Sequence, residues 1–176
     1  MDRGCHPQGY GAVSPTPPID SALRLEYVAN FEYSYAAGRF ASRFMNALRT
    51  EARIQGTRCD ACDKVLVPPR PVCGLCLERT AEWVDVGPGG VITGYTVVEV
   101  PFIDPMTGIK RPIPYGFAFV RLDGADTNIY HFLEESRHDK ISIGMRITAV
   151  FKPAPERDGT LADIIHFRAE EPATDE

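Results

Sequence analysis

The 176-residue chain has no apolar run of about 18 residues, so no transmembrane helix is expected. Its opening, Met1-Asp2-Arg3-Gly4-Cys5-His6, lacks the apolar segment of a secretory signal. Cationic clusters do not exceed pairs such as Lys110-Arg111, and the formal net charge is −5. A nucleic-acid binder relies on a cationic face that displaces counterions from phosphate, and this balance weakens that class. Catalytic motifs are missing too. There is no Gly-x-Ser-x-Gly elbow, no His-Glu-x-x-His helix and no Gly-x-x-x-x-Gly-Lys-Ser/Thr phosphate loop. The four histidines (His6, His131, His138 and His166) fall in unrelated contexts, and His131 and His166 read as barrel-face residues with backbone partners. Asp123 and Asp126 share a turn, where carboxylates usually serve turn chemistry. No internal repeat is present, and the chain shows no active site of its own.

What the sequence does have is two cysteine pairs, Cys59-x-x-Cys62 and Cys73-x-x-Cys76, with ten residues between them. Each pair offers two thiolates at a separation suited to one ion. A hairpin of ten residues brings the pairs face to face as a closed tetrahedral four-sulfur shell. Such a shell leaves no position for water or substrate, so it marks a structural metal. Without an export signal, paired cysteines read as metal ligands in a reducing cytoplasm and not as disulfides. Cys5 stands alone in a Gly/Pro tail that offers neither the base nor the oxyanion pocket a nucleophile requires, and it reads as a free thiol.

Along the chain, residues 1–22 hold Gly4, Gly9, Gly11 and four prolines and read as an extended tail. A helical arm is expected over 23–55. In it Phe40, Phe44, Ala47 and Leu48 recur at helical spacing, with a helix over roughly 36–53, a stop at Gly56 and a shorter helix near 22–32. The rings Phe31, Tyr35, Phe40 and Phe44 either pack on the chain's own domain or anchor the arm on another protein, as interface aromatics do. Residues 56–81 form the metal ribbon, with a short strand at Lys64–Val67 and an extended Pro68-Pro69-Arg70-Pro71 turn between the knuckles. Its small apolar content leaves folding to ligation, worth of order 10 kcal/mol in comparable peptides.

From residue 82 to 170 the pattern is β. Five runs (90–100, 116–122, 127–133, 145–152 and 161–168) fit a five-stranded barrel of the OB type. Residues 122–126 make a hairpin turn, and the link from the third run to the fourth has room for one helical turn. Leu161, Ile165 and Phe167 are expected on one face, interrupted by Asp163. OB barrels bind single strands on the face of their second and third strands. Here Phe117, Phe119, Tyr130 and Phe132 have apolar neighbours and read as rings buried on both sides. Residues 171–176 are an acidic tail.

The order of these segments is more specific than the cysteines. It runs from Gly38-Arg39-Phe40 and Arg43-Phe44 through Gly56-Thr57-Arg58-Cys59-Asp60-Ala61-Cys62, Val67-Pro68-Pro69-Arg70 and Cys73-Gly74-Leu75-Cys76. It continues with Trp83, Gly89-Gly90-Val91-Ile92, Pro114-Tyr115-Gly116-Phe117, Arg121–Asp126 and Ile143–Ile147. Over residues 33–168 this order resembles the zinc-ribbon/OB-fold family found with thiolase-like and other acyl-CoA enzymes. Within it, the likeness extends to zinc-containing small subunits of thiolase complexes such as benzoylsuccinyl-CoA thiolase of anaerobic toluene breakdown.

The resemblance implies a mainly β fold with an N-terminal helical arm, a rubredoxin-like ribbon and an OB barrel. It implies one structural Zn2+ on Cys59, Cys62, Cys73 and Cys76, where the bare shell also suits iron. It implies a cytoplasmic, non-catalytic subunit of a hetero-oligomer, docked on a thiolase-fold chain that carries the nucleophile. Acyl-CoA or coenzyme A would lie near the interface, with Arg70, Lys110 and Arg111 as contacts to its phosphates. Relatives serving a hydratase or aldolase share these motifs, and a single-stranded nucleic-acid module is the other alternative. Asp63 and Leu77 stand where glycine often follows the second knuckle cysteine, which puts the knuckle geometry in question.

Overall fold

The computed structural model describes residues 34–103 and 110–170. The tail over 1–22, the short helix near 22–32, Phe31, Cys5 and the acidic tail lie outside the described residues.

One helix, α1 (Gly38–Glu51), opens the described chain and buries Phe44, Ala47 and Leu48. It stops at Ala52, whose backbone is left-handed (φ 53°); the Ala52 N–H donates to the Leu48 carbonyl (3.1 Å) and the Arg53 N–H to that of Ala47 (3.3 Å). Gly56, expected as the stop, lies beyond it in β1 (Ile54–Cys59). A Cβ there would sit 2.9 Å from the Leu66 carbonyl oxygen and from Val67 Cγ2, so this glycine serves strand approach.

Two antiparallel sheets follow. The first orders β2 (Val65–Leu66), β1 and β3 (Thr80–Val86), with Thr57 opposite both Leu66 and Trp83. β3 stays in this sheet to Val86, so the ribbon sheet spans the 81/82 boundary read from the sequence. The second comprises β4 (Gly89–Val98), β5 (Tyr115–Leu122), β6 (Asn128–Phe132), β7 (Arg146–Phe151) and β8 (Ile164–Ala169). Its order is β6-β5-β4-β7-β8, and a Leu133–Phe167 bridge brings the two ends together, closing the barrel. A short 3-10 turn at His138–Lys140 occupies the link before β7.

Phe44, Leu48, Ile54, Val65 and Val67 join Ile92, Val120, Leu122, Ile147 and Phe167 in one core, so helix, ribbon base and barrel share their apolar interior. β8 departs from simple alternation. Ile164 and Phe167 are buried, whereas Ile165 faces solvent, and a register shift at Val150/Phe151 accompanies the change. Asp163 does not interrupt the strand. It lies fully buried just before it, accepting from the backbone N–H of Asp158 (2.9 Å) and Gly159 (2.8 Å).

Candidate functional site

The two knuckles are built alike. Asp63 N–H donates to the Cys59 carbonyl (3.1 Å) and Leu77 N–H to that of Cys73 (3.0 Å). Cys59 and Cys73 N–H groups donate in turn to Lys64 O (2.9 Å) and Glu78 O (2.8 Å). Asp63 and Leu77 adopt left-handed backbones, φ 59° and 61°, although neither is glycine. The turn geometry is therefore kept, with steric strain accepted at two non-glycine positions.

The four Sγ atoms lie within 4.8 Å of one another, with Cys59–Cys76 at 3.4 Å and Cys62–Cys73 at 3.7 Å. Tetrahedral zinc with Zn–S near 2.3 Å needs sulfur–sulfur edges of about 3.8 Å, so the cluster fits one Zn2+. Backbone N–H groups of Cys62 and Ala61 hold the Cys59 thiol below its usual range. Those of Cys76 and Leu75 bring Cys73 down to about 7. At Cys76 the Glu78 N–H pulls downward, but the crowding Cys59 sulfur, burial and the other two sulfurs outweigh it and push the thiol up to about 12. Four such groups cannot all ionise alone, and a divalent cation resolves the conflict by replacing their protons. Cys59 and Cys73 are buried with Leu66, which is the whole of the ribbon's own apolar cluster. The metal is structural.

The arm rings divide. Phe44 is 1% exposed in the shared core, so its side chain is unavailable to a partner, contrary to the docking reading. Phe40 stacks on Trp83 with ring centroids 5.4 Å apart, and the Arg43 guanidinium lies 4.3 Å from the Trp83 ring. Tyr35 is exposed.

The barrel rings differ from expectation. Gly116, Ala118 and Val120 turn inward, while Phe117 is half-buried and Phe119 is 52% exposed on the opposite face. Register pairs Phe117 with Phe132 and Phe119 with Tyr130, itself 60% exposed. Tyr115, Phe117, Phe119, Tyr130 and Phe132 thus form one outward cluster, with neighbouring centroids 5.3–6.2 Å apart. The alternation of small and aromatic residues in β5 was the available signal for this face, because small residues pack inside a narrow barrel. Beyond the Val98–Tyr115 end of the sheet, Val100, Phe102, Ile103 and Ile113 are also exposed.

Arg70 lies exposed in the turn between the knuckles, its backbone held by Thr57 and Thr80. Lys110 and Arg111 belong instead to the approach to β5, and the Arg111 guanidinium sits 3.6 Å from the Phe132 ring centroid. The three cations are therefore split between the inter-knuckle turn and the segment leading into β5.

Among the described residues no histidine hydrogen-bonds a serine, threonine or cysteine. His131 is buried, with Nε2 on the Leu161 carbonyl (3.1 Å) and Nδ1 unpartnered. His166 faces the Glu134 carboxylate, not a backbone group (3.6 Å). Asp123 receives both Nη atoms of Arg146 at 2.7 Å, and Asp126 joins ribbon to barrel, so both turn carboxylates have structural work. Among the described residues no helix is long and apolar enough to cross a membrane.

Residues 48–82 match the family model described as the ChsH2 rubredoxin-like zinc ribbon domain, and residues 83–152 that of the ChsH2 C-terminal OB-fold domain. The chain is 26% identical over 117 residues to a DUF35 domain-containing scaffold protein of Pyrococcus furiosus, covering 66% of this chain and 82% of the relative. A protein of the same description from Methanocaldococcus jannaschii is 28% identical over 102 residues, covering 57% and 69%. Among solved structures, one titled Ltp2-ChsH2(DUF35) aldolase aligns with a TM-score of 0.56 at 26% identity, covering 77% of this chain and 98% of that one. A DUF35-family protein of unknown function from Sulfolobus solfataricus aligns at TM-score 0.52 and 18% identity, covering 73% and 83%, and bears on the fold alone.

Proposed function

We propose that this chain, which belongs to the ChsH2 family of zinc-ribbon/OB-fold proteins, is a non-catalytic accessory subunit docked on an acyl-CoA enzyme of the thiolase type. The observation that carries this reading is the outward ring cluster on β5 and β6, continued by Val100, Phe102, Ile103 and Ile113. A contiguous exposed apolar patch with aromatic anchors is the signature of a protein interface. The relatives support it. Two are described as scaffold proteins, and one structural neighbour is titled as an aldolase pairing a ChsH2 chain with Ltp2.

In this reading the partner supplies the nucleophile, and zinc holds the ribbon in shape. Lys110 and Arg111, at the edge of the ring face, contact the phosphates of coenzyme A at the subunit boundary, with Arg70 approaching from the ribbon. The assembly is a cytoplasmic hetero-oligomer, because a reducing compartment keeps the four cysteines available as zinc ligands and not as disulfides. Benzoylsuccinyl-CoA thiolase is the specific complex the sequence resembles.

The test is co-expression with thiolase-like and aldolase-like chains from the same genome, followed by gel filtration and activity on mixing. A stable complex, lost in Phe119→Ala/Tyr130→Ala with zinc content unchanged, is the expected outcome. A chain that never associates with such an enzyme and never alters its activity would remove the proposal.

A second reading has one specific observation behind it. Phe119 and Tyr130 are exposed on the face that OB folds use for single strands. Against it stands the charge of −5, which leaves little cationic field for phosphate. Salt-sensitive binding of labelled single-stranded DNA would favour this alternative.

A further inference from the structure

A second surface lies away from the barrel rings, between α1 and the ribbon. It is an open groove of about 870 Å³. Arg39, Phe40 and Arg43 line it from the helix, and Pro71, Val72 and Arg79 from the ribbon, with Trp83 between them. Its charge is one-sided, since Asp60 is the one carboxylate among the three guanidiniums that line it. Among the described residues neither Arg39 nor Arg79 makes a salt bridge, and both are exposed. Arg43 is spoken for by the Trp83 ring and by a 3.4 Å contact from Nε to Gln55 Oε1.

The helix adds to the imbalance. α1 has no acidic residue in its first turn and no side-chain cap from Ala37, yet Arg39 stands there. The positive end of a helix dipole favours anions, so a cation in the first turn raises a local potential that the described chain does not neutralise. Apolar surface is interleaved with this charge: Phe40 and Trp83 stack at the centre, and Val72 is 44% exposed on the opposite wall.

We propose that this groove binds an extended acidic segment of a partner protein, its carboxylates paired with Arg39 and Arg79 and its apolar side chains on Val72 and the half-buried Phe40–Trp83 pair. Guanidinium and carboxylate match as bidentate partners. The guanidiniums stand on two facing walls, four residues apart on the helix and opposite it on the ribbon, without a glycine-rich turn of converging N–H groups. That arrangement suits carboxylates spaced along a chain better than one compact phosphate group. The inference does not depend on docking by the barrel rings, because the groove is built from different elements.

Trp83 is the chain's single tryptophan, so its emission reports on this groove directly. The full-length, zinc-loaded protein is titrated with hexaglutamate, with hexalysine, inorganic pyrophosphate and hexathymidylate as parallel arms. A saturable change in Trp83 emission with hexaglutamate is expected. It should fade as ionic strength rises from about 0.01 M to about 1 M, where the Debye length falls from roughly 30 Å to 3 Å. Arg39→Glu and Arg79→Glu should each weaken binding roughly tenfold, the scale of one charge-assisted hydrogen bond. Both side chains are exposed, so zinc content and melting temperature should stay at wild-type values. No saturable response to hexaglutamate would overturn the proposal, as would an equal response in the double variant. Binding of pyrophosphate or hexathymidylate with hexaglutamate silent would overturn it in favour of a phosphate ligand. A failed complex in the co-expression test with these titrations intact would remove the barrel-face reading alone.

Discussion

Lys64 Nζ lies 2.7 Å from Asp126 Oδ1, across the seam where the ribbon meets the barrel. The same carboxylate accepts the Val65 N–H at 2.9 Å, and the Asp126 N–H returns a bond to the Val65 carbonyl. One residue on, Thr127 Oγ1 both accepts from Val67 N–H (2.7 Å) and donates to its carbonyl (2.9 Å). Two turn residues thus act as a short extra strand beside β2. The seam fixes the ribbon's angle on the barrel, on which any two-surface contact with a partner depends.

Asp126→Ala should lower stability by about 2 kcal/mol. Most of that comes from the charge-assisted backbone bond, because an exposed ion pair adds little. The side-chain bond from Lys64, then the Val65 N–H, hold the Asp126 carboxyl below the usual carboxylate range. A depressed folded value means that this stabilisation is complete above the unfolded value near 3.9 and disappears as pH falls through the lower folded value. Acid also protonates the thiolates, so the measurement is the difference between wild-type and Asp126→Asn urea midpoints at each pH. That difference should be constant from about pH 5 to 8 and shrink below about pH 4. A difference that grew with acidity would contradict the bond.

Cys59→Ser should lose zinc and ribbon order together. The ribbon's own cluster is Cys59, Leu66 and Cys73, with Cys62 at its edge, too small to fold without the order of 10 kcal/mol that ligation supplies. Val120, Ile147 and Phe167 belong to the larger shared core, which includes none of the metal ligands. Metal analysis should give one zinc per wild-type chain. Hydrogen exchange after chelation should show protection lost over residues 59–79 and retained in β4, β5 and β7. Uniform loss across the chain would mean that ribbon and barrel fold as one unit.

At the knuckles, Leu77→Gly should raise the melting temperature slightly. A left-handed backbone costs a branched residue about 1–2 kcal/mol, and glycine returns about 0.5–1 kcal/mol of that as unfolded-state entropy. Leu77 is exposed, so little packing is lost. Asp63→Gly should gain less, because Asp63 Oδ1 also accepts from Arg58 Nη1 at 3.0 Å. A larger gain at Asp63 than at Leu77 would refute the strain account.

Phe44→Ala should cost about 3–5 kcal/mol and act through the fold, since the ring is buried against the shared core. Phe40→Ala should cost less while changing Trp83 emission, because it removes the ring stacked on the indole. Urea denaturation and fluorescence separate the two.

These arm residues show what sequence made legible and what it did not. The cysteine spacing and strand periodicity led to the ribbon and barrel, because ligation and alternation are local rules. Helical spacing marked Phe40 and Phe44 as one face, but it carries no information on what covers that face. The answer came from Trp83, which is far along the chain in β3. Gly56 read as a helix stop because glycine often is one, whereas its role follows from β2 passing so close that a Cβ there would lie 2.9 Å from the Leu66 carbonyl oxygen. The β5 rings read as buried because apolar neighbours on both sides imply burial. Gly116, Ala118, Val120 and Leu122 take the inward positions of β5, so strand alternation puts the rings of Tyr115, Phe117 and Phe119 on the outer face. Each miss is a long-range packing fact that no window of sequence contains.

His131 offers a test of one such fact. Burial lowers its proton affinity below the usual histidine range, opposed by the bond to the Leu161 carbonyl, and its Nδ1 has no partner. Because Nε2 faces a carbonyl, it carries the proton and Nδ1 is the bare acceptor. The unfolded chain therefore takes up a proton near pH 6.5 that the folded chain refuses. Stability from this residue is complete above about pH 6.5 and falls as acid is added, until the folded value is reached. His131→Phe removes both the titration and the orphaned acceptor. It loses the Leu161 bond, which in a neutral pair is worth about 1 kcal/mol. The variant should be close to wild type at pH 8 and relatively more stable at pH 5.5, with a flatter dependence between them. Parallel curves for the two proteins would show that His131 gains its proton in the folded state as readily as in the unfolded one, and would remove the orphaned nitrogen as a cost to the fold.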